Sequence, residues 1–193
     1  AWQIAIDERN AEQAIKDIYE KLSADREPYL RRARECSKLT LPYLIPEDGA
    51  NGSTVFPTPY QSLGARGVNT LASRLLITIL PPNSPFFRLS IVDYLVNQLE
   101  NGEGLKAEIN KALSMVESEV VADVEASPDR VTLFEALKHI LVGGNVLLHR
   151  DEKENILKLY HLSRYVVRRD PMGNILEIIV REEVAKELLP DEI

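Results

Sequence analysis

Two consecutive prolines, Pro81 and Pro82, end the most regular stretch of this 193-residue sequence. Proline has no backbone N–H and its ring clashes with the preceding turn, so a helix cannot continue through this pair. The run before it, from Thr58 to Leu80, has helical spacing, with Thr58 suited to the cap and Pro59 to the first turn. Its apolar residues cover most of the helix circumference: Tyr60, Leu63, Ala65, Val68, Leu71, Ala72, Leu75, Leu76 and Leu80. The sequence therefore predicts a buried helix packed on several sides.

Two glycines lie inside this predicted helix, Gly64 and Gly67. Each costs a helix about 1 kcal/mol relative to alanine. We interpret them as points of close backbone approach, because a residue without a side chain lets another segment come near. On this interpretation, Gly67→Leu overpacks the site and destabilises the chain by roughly 1 to 3 kcal/mol.

The sequence before residue 42 predicts two helices. Residues 10–24 are amphipathic, and a second helix starts near Pro28 and runs toward Leu41. The single cysteine, Cys36, excludes an internal disulfide, and its helical position predicts a buried small hydrophobe. The second helix carries four basic residues, with Glu27 and Glu35 one turn from several of them, which indicates a solvated face of i to i+4 pairs: Arg31, Arg32, Arg34 and Lys38.

Turn-forming residues dominate residues 42–58, which predicts a long loop before the buried helix. After Pro85, residues 86–91 are interpreted as a short strand. Residues 103–126 predict a clean amphipathic helix with a solvated acidic face, since carboxylates occupy most positions outside its apolar stripe. That stripe consists of Leu105, Ile109, Leu113, Val116, Val120 and Val124. Ser127 and Pro128 then begin another helix, which we predict to end in a left-handed turn at Gly143.

Beyond Gly144 the hydrophobic period changes from helical to that of short strands. Four β-rich runs, 145–150, 156–160, 165–170 and 175–181, predict an antiparallel meander, followed by a short helix over 182–189. The fold class is therefore α+β, with N-terminal helices packed on a small, mostly antiparallel C-terminal sheet. We divide the chain into a helical region, 1–127, and a helix with the meander, 128–193.

The composition and motifs predict no catalytic, cofactor-binding or metal site. The net charge is −7, and residues 81–127 hold eight acidic against three basic side chains. The three histidines, His139, His149 and His161, lack metal-ligand spacing. No apolar run is long enough to cross a bilayer, so we expect no association with a membrane. A hydrolase or metal-dependent enzyme that uses these histidines stays an alternative without a supporting motif.

Several runs together resemble a known family, the head-to-tail connector or portal proteins of short-tailed bacteriophages. The runs are Arg26 with Pro28-Tyr29 and Arg32, Gly64-Ala65-Arg66-Gly67 with Asn69, Leu71-Ala72-Ser73 with Leu75, Phe86-Phe87-Arg88-Leu89, Val131 to Lys138, and Gly144 to Leu148. The resemblance extends from about residue 14 to the end. Family subunits are considerably longer, so the sequence is interpreted as an N-terminal portion. The family often has an aromatic residue before the first proline, where this sequence has Leu80.

The resemblance implies a structural role rather than an enzymatic one. It implies the outer, wing-like part of a subunit in a homo-oligomeric ring, usually dodecameric, at one capsid vertex of the virion. The ring would form the conduit for double-stranded viral DNA during packaging and ejection and would hold the tail. The implied partners are other portal subunits, scaffolding protein, major capsid protein, terminase and tail proteins, with assembly in the host cytoplasm.

A nucleic-acid-binding module is the alternative that remains from the charged residues. Its candidate contacts are Arg31, Arg32, Arg34, Arg168 and Arg169. The overall acidic balance and the lack of aromatic residues between these arginines argue against it.

Overall fold

The computed structural model of the chain describes residues 2–91, 102–151 and 155–184, and the side chains of 13–91, 106–151 and 155–184. Within these residues four α-helices precede four strands, which confirms the α+β class. In chain order the elements are α1 (Trp2–Leu39), α2 (Leu63–Ile79), α3 (Gly102–Ala126), α4 (Asp129–Gly143), β1 (Leu147–Arg150), β2 (Leu157–Tyr160), a 3-10 helix (Leu162–Arg164), β3 (Tyr165–Arg169) and β4 (Ile175–Val180).

Helix α1 is continuous through Pro28, so the prediction of two separate helices is wrong. A proline inside a helix costs about 3 kcal/mol in lost hydrogen bonding and steric conflict. Here both sides of the proline are fixed by tertiary contacts. Arg26 donates hydrogen bonds to the carbonyl oxygens of Leu162 and Tyr165, and Leu30 is 1% exposed. Contacts distant in sequence thus outweigh the local preference.

The chain divides into two compact units. Unit 1 comprises the described residues within Ala1–Ala65, His139–Leu148 and Leu159–Ile193, and unit 2 those within Arg66–Lys138 and His149–Lys158. The hydrophobic core of unit 1 draws on the second half of α1, on the loop after it, on the end of α4 and on the start of β3. Its buried residues are Leu30, Ala33, Leu41, Leu44, Ile45, Val142, Leu162, Tyr165 and Val166.

The long loop of unit 1 lies between α1 and α2, as predicted. Its beginning is held by Ser37, whose side chain is 0% exposed. The Ser37 hydroxyl donates to the Leu41 carbonyl at 2.7 Å and accepts from the Ile45 amide at 3.2 Å. One hydroxyl therefore satisfies two buried backbone groups that would each cost about 1 to 3 kcal/mol without a partner. Gly49 then turns the chain with φ +84°.

Helix α2 begins at Leu63, not at Thr58, so the predicted cap and proline positions are wrong. The stop before Pro81 is confirmed. The prediction of burial on several sides is also wrong, because Ala72 is the only buried residue of this helix. Leu71, Ile77 and Ile79 are each about half exposed, at 47%, 58% and 54%.

The two glycines of α2 have opposite environments. A Cβ added to Gly64 would lie 2.9 Å from the Leu39 carbonyl oxygen and 3.1 Å from Thr40 Cγ2, which confirms the predicted close approach. A Cβ added to Gly67 would meet nothing within 4 Å. The expected overpacking by Gly67→Leu is therefore wrong for this chain, because the site opens to solvent.

Helices α3 and α4 meet at Ser127, as predicted. The Ser127 hydroxyl donates to the Val124 carbonyl at 2.9 Å and accepts from the Asp129 amide at 3.3 Å. The left-handed residue after α4 is Gly144, with φ +74°, and not Gly143. Gly143 serves packing instead, since a Cβ there would lie 3.0 Å from Ile45 Cδ1.

Two acidic residues of unit 2 are buried rather than solvated. Glu117 of α3 is 8% exposed and its carboxylate accepts a hydrogen bond from the Leu89 amide at 2.6 Å. Residues 86–91 form no strand, and this carboxylate supplies a partner for their backbone. Asp129 is buried as well, and Arg150 binds its Oδ2 through both terminal nitrogens at 2.8 and 3.0 Å.

The predicted meander is two separate sheets. β1 pairs with β2, and β3 pairs with β4 in an antiparallel ladder from Tyr165–Val180 to Arg169–Ile175. Gly173, at φ +91°, forms the predicted turn between β3 and β4. Residues 182–184 are not helical, and the rest of the helix predicted there lies outside the described residues.

In the portion of the chain that the structure describes, no helix combines the length and apolarity needed to cross a membrane.

Candidate functional site

The arginines of the nucleic-acid alternative do not form one free basic surface. Arg34 is buried, and its guanidinium lies 2.8 Å from Asp48 Oδ1 and 3.6 Å from Glu47 Oε2. Its Nε also donates to the Pro46 carbonyl at 3.3 Å. The interpretation of Arg34 as part of a solvated face is therefore wrong, because it fastens the loop to α1. Lys38 adds a 2.8 Å ion pair to Glu47 and holds the pKa of that carboxyl below its usual value.

The other four arginines remain exposed in unit 1. Arg168 pairs with Glu177 across the β3–β4 ladder at 3.0 Å, and Arg169 donates to the Gly173 carbonyl at 2.9 Å. Arg32 stacks over the ring of Tyr29, 5.0 Å from its centroid. Three of these side chains thus have intramolecular partners, which reduces the charge available to a phosphate backbone.

Unit 1 contains a pair of stacked imidazoles, one buried and one half-buried, that sequence spacing did not predict. The rings of His139 and His161 stack with centroids 6.1 Å apart and an interplanar angle of 12°. Ser163 Oγ lies 2.7 Å from His161 Nδ1. The two histidines are 22 residues apart on different elements, so only the tertiary fold brings them together.

Burial lowers the pKa of His161 to about 4, with a further contribution from His139. The His161 ring is therefore neutral at neutral pH. Among the described residues, no group of three histidine, cysteine or acidic side chains could hold a metal ion. Ser163 is itself buried, and the neighbour of His161 is a second imidazole rather than the carboxylate that orients a catalytic histidine. The geometry favours a structural role.

A groove of about 610 Å³ lies beside this core in unit 1. Arg26 lines this groove and donates hydrogen bonds to two carbonyl oxygens and, at 3.0 Å, to the Ser23 hydroxyl. Tyr165 also lines it, and burial raises the pKa of the Tyr165 phenol. The groove therefore has a rigid polar wall, since the side chain that lines it also ties α1 to the 3-10 helix and β3.

Unit 2 presents a different kind of surface, formed by exposed helix faces. On α2, four of the exposed positions are three or four residues apart, Arg66, Thr70, Arg74 and Ile77, and the exposed Gly67 lies next to Arg66. On α3, another exposed row has the same spacing: Glu108, Ala112, Met115, Glu119 and Ala122. Such spacing places each row on one side of its helix. We name these rows the α2 face and the α3 face.

The sequence model of bacteriophage head to tail connecting proteins matches residues 12–193 of this chain. The chain belongs to this family.

Relatives with curated descriptions agree with that assignment. The portal protein of Escherichia phage T7 is 44% identical over 187 residues, which cover 95% of this chain and 35% of that protein. The portal protein of Enterobacteria phage T3 is 42% identical over 185 residues, covering 94% of this chain and 34% of that protein. The portal protein of Enterobacteria phage SP6 is 32% identical over 171 residues, covering 89% and 33%. The chain thus spans about a third of the length of these relatives.

The predicted resemblance to phage connectors is confirmed, and the structure shows what several of its residues do. Arg26 and Pro28 lie in the part of α1 that is tied to β3. Gly64 is a point of close approach between α2 and the end of α1. Gly144 makes the left-handed turn between α4 and β1. Within this connector chain, three of the runs that carried the resemblance therefore contain positions where backbone geometry or a tertiary contact restricts the residue.

Proposed function

We propose that this chain is part of a portal subunit that assembles with other copies into a closed ring at one vertex of the phage capsid. The ring serves as the conduit for double-stranded DNA during packaging and ejection and as the attachment point for the tail. Membership in the head-to-tail connecting family carries this proposal. The exposed apolar side chains of α2 and α3 support it, because unpartnered helix faces are typical of proteins that assemble.

The partners follow from that role. They are other portal subunits, usually twelve in this family, together with scaffolding protein, major capsid protein, terminase and tail proteins. The finished ring belongs to the virion, and its assembly takes place in the host cytoplasm. Residues 1–127 and 128–193 together contribute a wing-like part of the subunit. This placement is an extension of the family resemblance to the whole protein.

We further propose that the chain has no catalytic activity of its own. The buried Ser163–His161 contact without an orienting carboxylate supports this, as does the lack of a three-residue metal group among the described side chains. Metal analysis and assays for ATPase and nuclease activity on purified protein test it. Stoichiometric zinc, or turnover that disappears when one histidine is replaced, would contradict the proposal.

Ring formation is the decisive test. The complete subunit should form closed rings in negative-stain images and sediment as a large species in analytical ultracentrifugation. The 193-residue chain alone should be mostly monomeric, because a cyclic interface joins two different patches and depends on the rest of the subunit as well. A complete subunit that stays monomeric at micromolar concentration under several salt conditions would remove the portal assignment.

A nucleic-acid-binding module is the competing function, and the pairing of Arg34 and Arg168 weighs against it. The salt dependence of DNA binding separates the two. A module that grips phosphates loses affinity steeply with salt, in proportion to the number of phosphates neutralised. Tight binding of duplex DNA by a monomer with a steep salt slope would favour the module over the ring.

A further inference from the structure

The α2 face in unit 2 is a row of exposed residues with little intramolecular packing. Ile77 is 58% exposed, Arg74 is exposed one turn before it, and Arg66 is exposed about two turns before Arg74. Gly67 lies in the middle of the row, and a Cβ there would meet nothing within 4 Å. Positions three and four residues apart lie on one side of a helix, so these side chains form one continuous surface. This surface stays exposed within the described part of unit 2.

The α3 face has the same spacing and the opposite charge. Met115, 58% exposed, occupies its middle, with Ala112 and Ala122 on either side. Glu108 and Glu119 supply the negative charge of the row, and the exposed Lys111 lies at its edge, one turn from both Glu108 and Met115. Alanine at two of five positions lets another helix approach closely, while the methionine supplies apolar surface.

The charges of the two faces are segregated along the sequence. Residues 49–92 contain no acidic residue and three arginines, Arg66, Arg74 and Arg88. Residues 93–127 contain eight acidic residues and two lysines. Electrostatic complementarity of this kind selects partners and fixes the register in which two surfaces meet. Each face is consequently a better partner for the other than for itself.

We propose that the α2 face of one copy docks on the α3 face of the next copy in the ring. Arg66 and Arg74 then lie opposite Glu108 and Glu119, and the small residues Gly67, Ala112 and Ala122 allow the helices to approach. The contact joins two different patches, so it repeats around a ring rather than closing a two-fold dimer. This inference rests on the proposed portal function and specifies the surface by which its subunits meet.

The two faces favour a protein partner over DNA. Two arginines along the α2 face are few for a phosphate backbone, and a hydrophobic residue, Ile77, lies one turn from Arg74. Met115, on the acidic face, is 58% exposed and offers apolar surface to a packed helix. DNA is therefore an outcome to be distinguished in the test rather than the expected occupant.

Charge reversal and its reciprocal swap test the pairing in the complete subunit. Arg66→Glu with Arg74→Glu should reduce the fraction in rings at least ~10-fold, since like charges then face each other. Glu108→Arg with Glu119→Arg should do the same. The variant with all four changes should recover rings, because the complementarity is restored in reverse. Lys16→Glu with Arg31→Glu, at exposed positions of α1, is the matched control and should assemble like the wild type.

Negative-stain imaging and ultracentrifugation give the readout, and circular dichroism confirms folding of each variant. Rings that persist in both double variants overturn the inference and leave the portal function standing. Loss of rings in the α2 double variant without recovery in the fourfold variant overturns the pairing with α3. Loss of DNA binding with intact rings assigns the α2 face to DNA instead. Failure of the wild-type subunit to form rings overturns the portal function, and this inference with it.

Disulfide cross-linking gives a second measurement, and it does not require that the charge variants fold. In a complete subunit from which Cys36 and every other cysteine have been removed, subunits with Thr70→Cys are mixed with subunits with Met115→Cys and oxidised. The two positions lie in the middle of their faces, so we expect a disulfide-linked pair of chains in the mixture and little in either variant alone. Thr70→Cys mixed with Arg31→Cys is the control. Equal cross-linking in the control and the test mixture overturns the proposed contact.

Discussion

Unit 1 holds most of the buried apolar residues of the described chain, whereas those of unit 2 are Ala72, Leu80 and Ala136. In unit 1, large side chains and a polar network are enclosed together: Leu30 is 1% exposed and Ser37 0%. In unit 2, the fully enclosed apolar residues of α2 and α4 are small, Ala72 and Ala136, while Ile77 and Met115 stay open. Unit 1 therefore encloses large side chains in a core, whereas the packing of unit 2 is looser at α2 and α3.

A cavity in the core of unit 1 should have the largest effect on the free energy of unfolding, so it tests the comparison of the two units first. Leu30→Ala removes a large side chain from an enclosed site, so we expect a loss of about 2 to 5 kcal/mol in the free energy of unfolding. Leu71→Ala on α2, which is 47% exposed, is the matched control and should cost less than about 1 kcal/mol. Denaturant unfolding of the purified variants measures both. Equal losses would show that unit 2 is packed as tightly as unit 1.

The elements set by local patterns were predictable from the sequence. The spacing of α3, the stop of α2 before Pro81, the Ser127 junction and the strand pairs around Gly173 all follow from period, capping and turn chemistry. These signals lie within a few residues of the structure they produce. The predicted start of α2 was wrong because Thr58 and Pro59 are acceptable in a loop as well as at a cap.

The contacts between distant segments were not predictable. Nothing within one turn of Arg34 indicates that its partners are Glu47 and Asp48, and the stacking of His139 on His161 depends on how α4 and the 3-10 helix meet. The continuity of α1 through Pro28 has the same origin. A solvated face and a buried one have the same helical period, so the sequence pattern alone also assigned Cys36 to the interior, whereas it is exposed.

The two glycines of α2 test the comparison of the units through stability changes of intermediate size. Gly64→Ala should destabilise by about 1 to 3 kcal/mol, because its Cβ would collide with the backbone oxygen of Leu39. Gly67→Ala should stabilise the chain by up to ~1 kcal/mol, because it gains helix propensity without a steric conflict. Thermal melts of both variants measure this pair. A lower melting temperature for Gly67→Ala would mean that the helix is packed at that site already in the single chain.

The free energy of unfolding should depend on pH through His161 of unit 1. His161 has a pKa of about 4 when folded, against 6.5 in the unfolded chain, so the unfolded state binds a proton that the folded state does not. Protonation of His161 therefore leaves the free energy of unfolding unchanged above pH 6.5 and lowers it as the pH falls from 6.5 to 4. Because solvent reaches part of the ring, we expect a loss of about 1 to 2 kcal/mol over that range.

Replacement of one histidine isolates this contribution from the carboxyl groups that titrate nearby. His161→Gln should flatten the slope of unfolding free energy against pH between 6.5 and 4 relative to the wild type. His149→Gln, at an exposed position of β1, is the matched control for the removal of one imidazole. A wild-type slope in His161→Gln would show that the buried imidazole is not held neutral by the fold.

The smallest effect tests where the closed core of unit 1 ends. Cys36 and Ser37 are neighbours on α1, yet Cys36 is exposed and Ser37 is fully buried. Cys36→Ser should change the free energy of unfolding by less than about 0.5 kcal/mol, because the thiol has no enclosed contacts to lose. Cys36 should react with a thiol reagent in the folded chain as fast as in a peptide. In a Cys36→Ser background, Ser37→Cys should react only when the chain unfolds. Equal rates at the two positions would mean that α1 turns both sides to solvent, and unit 1 would then be no better closed than unit 2.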